Sequence, residues 1–129
     1  MYWNILDICY NLSRDGMEKV LINVYSILNN VEENNEFFAI KDGNVIEYID
    51  LDNNKMTIDT KNNIIIRENI DYLFKLMFDN NKIEIEIKKL HKIVIKSIKT
   101  LSISLTKRSY VVKYLLADEN IINEYYVKF

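Results

Sequence analysis

The hydrophobic and polar positions along the chain change period several times, and each change marks an expected element. Met17, Val20, Leu21, Val24, Leu28 and Val31 recur at helical spacing and predict an amphipathic helix over 16–31. Asp15, with Glu18 three positions on, resembles a capping box at its start. A shorter helix is expected over 2–12, with Ile5, Ile8, Cys9 and Leu12 on one side. The period then falls to two. Four β-rich runs, 36–40, 44–51, 55–60 and 63–67, are separated by Asp42-Gly43, Asn53-Asn54 and Asn62-Asn63. These pairs tolerate the positive φ of tight hairpins, so the segment reads as a small antiparallel meander. Ile70, Leu73, Phe74, Met77 and Phe78 restore the helical period over 69–79, between Asn69 as N-cap and Asn80-Asn81 as stop. "KIEIEI" alternates again, and "SYVVKYLLADENIINEYYVKF" reads as two strands joined by residues 117–120.

Residues 88–108, "KKLHKIVIKSIKTLSISLTKR", admit two readings. In the first, Leu90, Ile93 and Val94 face one side of a helix over 86–94, and Ile98, Leu101 and Leu105 one side of a second over 97–108, with Ser97 as N-cap. In the second, "LSISL" alternates strictly and the β-branched run at 93–95 favours strands.

The helical reading gives the order helix, strand, helix, turn, helix, strand pair over residues 69–129. With "IEIKKLHKI", "SIKTLSISLTKR" and "YVVKYLL" as its parts, this half resembles a winged helix-turn-helix. The resemblance implies DNA binding. Ser97, Lys99, Thr100, Ser102, Ser104 and Lys107 would then face the major groove, and Lys88, Lys89, Lys92, Lys96 and Arg108 would meet phosphates. Asp118-Glu119 stands where the family's wing tip is often basic, so the wing is expected not to grip phosphate. The fold class expected is α+β: N-terminal helices and a small antiparallel meander, followed by a winged-helix-like half. Residues 1–68 would form a dimerisation part and 69–129 the reader, sharing one core.

Charge sharpens this picture. The net charge of the 129 residues is only -2, but 1–60 hold 4 basic and 11 acidic side chains, and 61–129 hold 13 and 8. Eight Lys or Arg and no acid lie between Ile87 and Ala117. Such asymmetry points to nucleic-acid contact, or to a solvated face whose acids come from elsewhere in the fold. Phe, Tyr, Met, Ile, Asn and Lys supply 70 residues, while Gly, Ala, Arg and Pro supply 7, the skew of AT-rich coding. That skew suits a low-GC bacterium, its phages or plasmids, or an AT-rich virus.

Catalytic chemistry finds little material. His91 is the only histidine and sits among lysines; Cys9 is the only cysteine and lies on an apolar face. One of each cannot make a tetrahedral zinc site. Two glycines cannot make a phosphate loop. "DLDNN" at 50–54 starts like a calcium loop but has Lys55 and Lys61 where Gly and Glu are needed. No cofactor, disulfide, signal peptide or membrane helix is expected, and the setting expected is cytoplasmic. The sequence therefore implies a non-enzymatic protein that binds double-stranded DNA as a homodimer, as a regulator or a segregation or replication accessory factor. The alternative is a protein-binding inhibitor or immunity protein of a mobile element or virus, with a partner of opposite charge.

Overall fold

The computed structural model describes residues 17–116 and 119–129. The expected helix over 2–12, Cys9, Asp15 and Asp118 lie outside the described residues. Ten antiparallel strands follow one another along the chain: β1 (Met17–Leu28), β2 (Val31–Asp42), β3 (Val45–Ile49), β4 (Lys55–Asp59), β5 (Ile64–Glu68), β6 (Tyr72–Met77), β7 (Lys82–Ile87), β8 (Lys92–Leu105), β9 (Ser109–Leu116) and β10 (Ile122–Lys128). Each pairs with its sequence neighbour, and β1 pairs with β10, so the sheet closes into an up-and-down barrel. Among the described residues the only helical turns are short 3₁₀ pieces at Phe78–Asn80 and Lys88–Leu90. None is long and apolar enough to cross a membrane.

The α+β expectation and the winged helix-turn-helix resemblance are therefore corrected. The segments expected as helices at 69–79, 86–94 and 97–108, and the described part of 16–31 from Met17 onward, are strands or hairpin turns. The physical reason is turn chemistry. Asn29 and Asn30, at φ 53° and 65°, form a two-residue hairpin turn inside the span read as one helix. Asn81 and His91, at φ 52° and 48°, adopt the left-handed region after the two 3₁₀ turns and reverse the chain. The expected meander is real: Gly43, Asn53 and Asn63 carry the positive φ of its three turns.

Register decides which side chains face the lumen. Ile22, Val24 and Ser26 of β1 lie opposite Phe37, Asn35 and Glu33 of β2. On the other side of β1, Val24 and Ser26 oppose Val127 and Tyr125 of β10. One inward row runs Tyr48, Met56, Arg67, Phe74, Ile85, Val94 across β3 to β8. The lower lumen is filled: Ile22, Ile46, Ile58, Ile65, Phe78, Tyr110, Val112 and Val127 are fully buried. Burying such side chains supplies the main stabilisation, roughly 1.5–3 kcal/mol each. The lumen is the apolar side, and the outer wall carries Glu47, Lys75, Glu84 and Lys113.

Hydrogen bonds tie successive turns together at both rims. At one, Phe78 N–H donates to the Asn63 carbonyl, Asn63 Nδ2 to Asp79, and Tyr110 Oη to Asn63 Oδ1 at 3.1 Å. At the other, Asn69 Nδ2 donates to Asn54 Oδ1 at 3.1 Å, and Lys88 Nζ to the Asn69 carbonyl at 2.8 Å.

Pairing is uneven in two places. β2 pairs with β3 only over Ile40–Asp42, although it pairs with β1 along its whole length. β8 pairs with β7 over Lys92–Ser97 and with β9 only from Ile98 onward, with a bulge between Thr100 and Ser102.

Candidate functional site

The short β2–β3 contact leaves a seam, and above the filled lumen it opens into a cavity of about 210 Å³. Inward side chains of six strands line it. Val24, Ser26 and Leu28 come from β1, Glu33, Asn35 and Phe37 from β2, Tyr48 from β3, Met56 from β4, Arg67 from β5 and Tyr125 from β10. The β3–β4 turn adds Asp50, Leu51 and Asp52. The mouth of a β-barrel is a common place for a ligand pocket of this mixed polar and apolar kind.

Arg67 is the unusual member. It occupies an inward position between Met56 and Phe74, and the next inward row supplies Ile58, Ile65 and Leu76. Its Nε is buried with no hydrogen-bond partner among the described residues. A buried donor left unsatisfied costs free energy, so a side chain retained in this state calls for a reason.

Among the described residues it forms no salt bridge. Asp50 is near enough to act on the same tyrosines, but its carboxylate organises its own turn. Oδ1 accepts from the N–H groups of Asp52 at 2.9 Å and Asn54 at 2.8 Å, and Oδ2 from Asn54 Nδ2 at 3.0 Å. The segment that begins like a calcium loop is thus an Asp-capped hairpin turn. Among the described residues no group of three or more His, Cys, Asp or Glu is placed to hold a metal.

Tyr48 and Tyr125 complete the polar lining. Burial pushes the Tyr48 phenol well above its ordinary value; Tyr125 and Asp50 add to the rise and Arg67 opposes it. Tyr125 is pushed up to about 12, again by burial first, with Arg67 lowering it and Asp50 and Glu33 raising it. Both stay neutral hydrogen-bond donors across the physiological range. The Phe37 ring packs on Tyr48 at 4.9 Å between centroids and holds it in place.

The residues expected to contact DNA are not gathered on one surface. Lys88 and Lys89 lie in the β7–β8 turn, where Lys88 Nζ donates to Glu68 Oε2 at 2.7 Å. Lys92 and Lys96 share one face of β8 with Ile98 and Thr100, while Ser97 and Lys99 lie on the opposite face. Thr100 is turned to structural use: its Oγ1 donates to the Phe78 carbonyl at 2.7 Å and its N–H to Asn81 Oδ1 at 2.9 Å. Beyond the bulge, Ser102 and Ser104 face outward beside Lys113 and Val111. Lys107 and Arg108 lie in the β8–β9 turn. A 14-residue strand spans roughly 45 Å, so the two ends of this set are far apart.

Arg67 and Tyr48 escaped the sequence reading, whereas Tyr125 stands out in the sequence only as an aromatic able to stack on bases or to pack in a core. Their strands were expected, but an arginine in "NIIIRE" becomes a lumen residue only once the register with β4 and β6 is known. No family model, curated protein or solved structure matches this chain.

Proposed function

We propose that the protein is a non-enzymatic binding barrel that takes a small carboxylate-bearing molecule into the cavity at its mouth. The observation that carries this reading is the unpartnered Nε of Arg67 inside the lumen. A carboxylate accepts two parallel N–H bonds from a guanidinium and would satisfy it. The neutral hydroxyls of Tyr48 and Tyr125 offer further donors to the same anion, while Phe37, Met56 and Val24 contact its apolar part. Glu33 and Asp52 also line the cavity. Their charge disfavours dianions and favours a ligand with a positive group opposite its carboxylate. About 210 Å³ suits a molecule the size of an amino acid. The groove-reading helix behind the DNA expectation is a strand, so double-stranded DNA rests on charge alone.

The test is a thermal-shift and calorimetric panel of small zwitterions, monocarboxylates, dicarboxylates and the matching amides, run on the native chain and on Arg67→Gln. Binding of a carboxylate or zwitterion that is lost with the amide and with Arg67→Gln supports the reading. Absence of binding across the panel, or binding indifferent to Arg67, overturns it.

A further inference from the structure

The two uneven pairings leave two free strand edges, and they carry opposite charge. On β2, residues 31–39 have no strand partner on the β3 side among the described residues. They include Glu32, Glu33 and Glu36 and no basic residue. On β8, Lys92–Ser97 has no partner on the β9 side among the described residues. That stretch holds Lys92 and Lys96 and no acid. Both edges are exposed: Glu32, Glu33 and Glu36 on one, Lys92 and Lys96 on the other. Ile93 and Ile95, 62% and 61% exposed, leave an apolar surface beside the lysines.

The spacing of the charges matches. Glu32 and Glu36 lie four apart on one face of β2, and Lys92 and Lys96 lie four apart on one face of β8. An antiparallel pairing that opposes Asn34 to Val94 sets Glu32 against Lys96 and Glu36 against Lys92. On the other face it sets Glu33 and Asn35 against Ile95 and Ile93. Side chains directly opposite across antiparallel strands interact, and opposite charges there are favourable. Pairing β2 with β2, or β8 with β8, would oppose like charges, a device that blocks edge association.

We infer that this chain assembles with further copies of itself by strand addition, the acidic edge of β2 in one copy pairing with the basic edge of β8 in the next. The contact joins two different surfaces, so it is heterologous. Each added copy leaves one edge of each kind free, and the assembly grows head to tail unless it closes into a ring. The inference is independent of what the cavity binds.

Analytical ultracentrifugation of the full chain tests it, at about 50 and 500 mM salt, where screening differs strongly. The expected result is a weight-average mass that rises with concentration above the 15.4 kDa of one chain at low salt and falls back at high salt. Lys92→Glu/Lys96→Glu and Glu32→Lys/Glu36→Lys should each be monomeric alone. Mixed in equal amounts they should assemble again, because the reversed β8 edge of one matches the reversed β2 edge of the other. Glu32 accepts a hydrogen bond from the Tyr25 hydroxyl, so Glu36→Lys mixed with Lys92→Glu, the position set against it, repeats the experiment if the double variant fails to fold. A wild-type chain monomeric throughout, assembly that survives either reversal, or a mixture that stays monomeric overturns the inference.

Discussion

Replacing Arg67 with Met should make the empty barrel more stable. Met retains the length and apolar stem of the side chain between Met56 and Phe74 while removing a buried donor with no partner. An unsatisfied buried N–H costs about 1–3 kcal/mol, which is the expected gain. Arg67 as a residue is only half-buried, so no desolvation cost for the whole ion is added. The loss on the other side is small, because Tyr48 and Tyr125 are neutral near pH 7 and Asp50 is held by its own turn. For a domain of this size 1 kcal/mol moves the melting temperature by roughly 3–5 °C, so a rise of about 3–15 °C is expected by calorimetry. A second readout is the alkaline titration of the buried tyrosines. Arg67 lowers the pKa of both tyrosines, so phenolate formation at these two positions should move to still higher pH in the variant. A lower melting temperature would show that the guanidinium holds the wall together, and would remove the reason for assigning it to a ligand. A residue that costs stability and earns none locally is what a binding site leaves behind.

Alkaline unfolding should be steep. Burial raises the pKa of Tyr48, Tyr110, Tyr114 and Tyr125, whereas in the unfolded chain these phenols titrate near pH 10. From pH 10 toward 12 the native state binds more protons than the unfolded state, so stability falls by up to about 1.4 kcal/mol per pH unit for each group. Phenolate absorbance and circular dichroism should change together; extensive phenolate formation with the native spectrum intact would contradict this. His91→Gly should raise stability by about 0.5–1 kcal/mol in urea titrations, since His91 sits at φ 48° where a Cβ is strained. Asn54→Ala should lower it by about 1–3 kcal/mol, because buried Asn54 donates to Asp50 and accepts from Asn69, and its removal takes these side-chain bonds from Asp50 Oδ2 and Asn69 Nδ2.

How far the fold was legible follows from which residues punctuate the turns. In a chain with two glycines and no proline, asparagine takes the left-handed positions: Asn29, Asn30, Asn53, Asn63 and Asn81. Where an Asn pair fell between short β-rich runs, as at Asn53 and Asn63, the hairpin was read. Where it falls within helically spaced residues, as at Asn29-Asn30, the spacing makes the turn read as part of a helix or its end. The spacing of Ile98, Leu101 and Leu105 misled for a different reason. The bulge between Thr100 and Ser102 adds a residue, so the inward face passes from Ile98 and Thr100 to Ile103 and Leu105. Leu101 and Leu105 are exposed, and their helix-like spacing with Ile98 is accidental. β1 misled because both faces are apolar in part: Val20 and Val24 point inward while Leu21, 55% exposed, points out.

Charge shows the same gap between a linear stretch and a surface. The acid-free stretch from Lys88 to Leu116 becomes a turn, β8, a second turn and β9, and three of its eight cations, Lys88, Lys99 and Lys113, meet acids or apolar groups supplied by neighbours. Lys88 is paired with Glu68, Lys113 lies directly opposite Glu124 on β10, and Lys99 lies opposite Leu115. On the outer face of β7, Glu84 and Glu86 lie opposite Ile95 and Ile93. Lys92 and Lys96 differ: they share the face of Ile83 and Ile87, and among the described residues no strand lies beside them on the other side. The negative half of the sequence is likewise diluted, except along β2, where Glu32, Glu33 and Glu36 line an edge that β3 does not cover. The bipolar charge of the sequence thus persists in the folded barrel chiefly where hydrogen bonding between strands is unfinished. At those two places charge and unmet backbone pairing act together, and that coincidence makes edge-to-edge assembly a sharper reading of the charge pattern than a diffuse basic face.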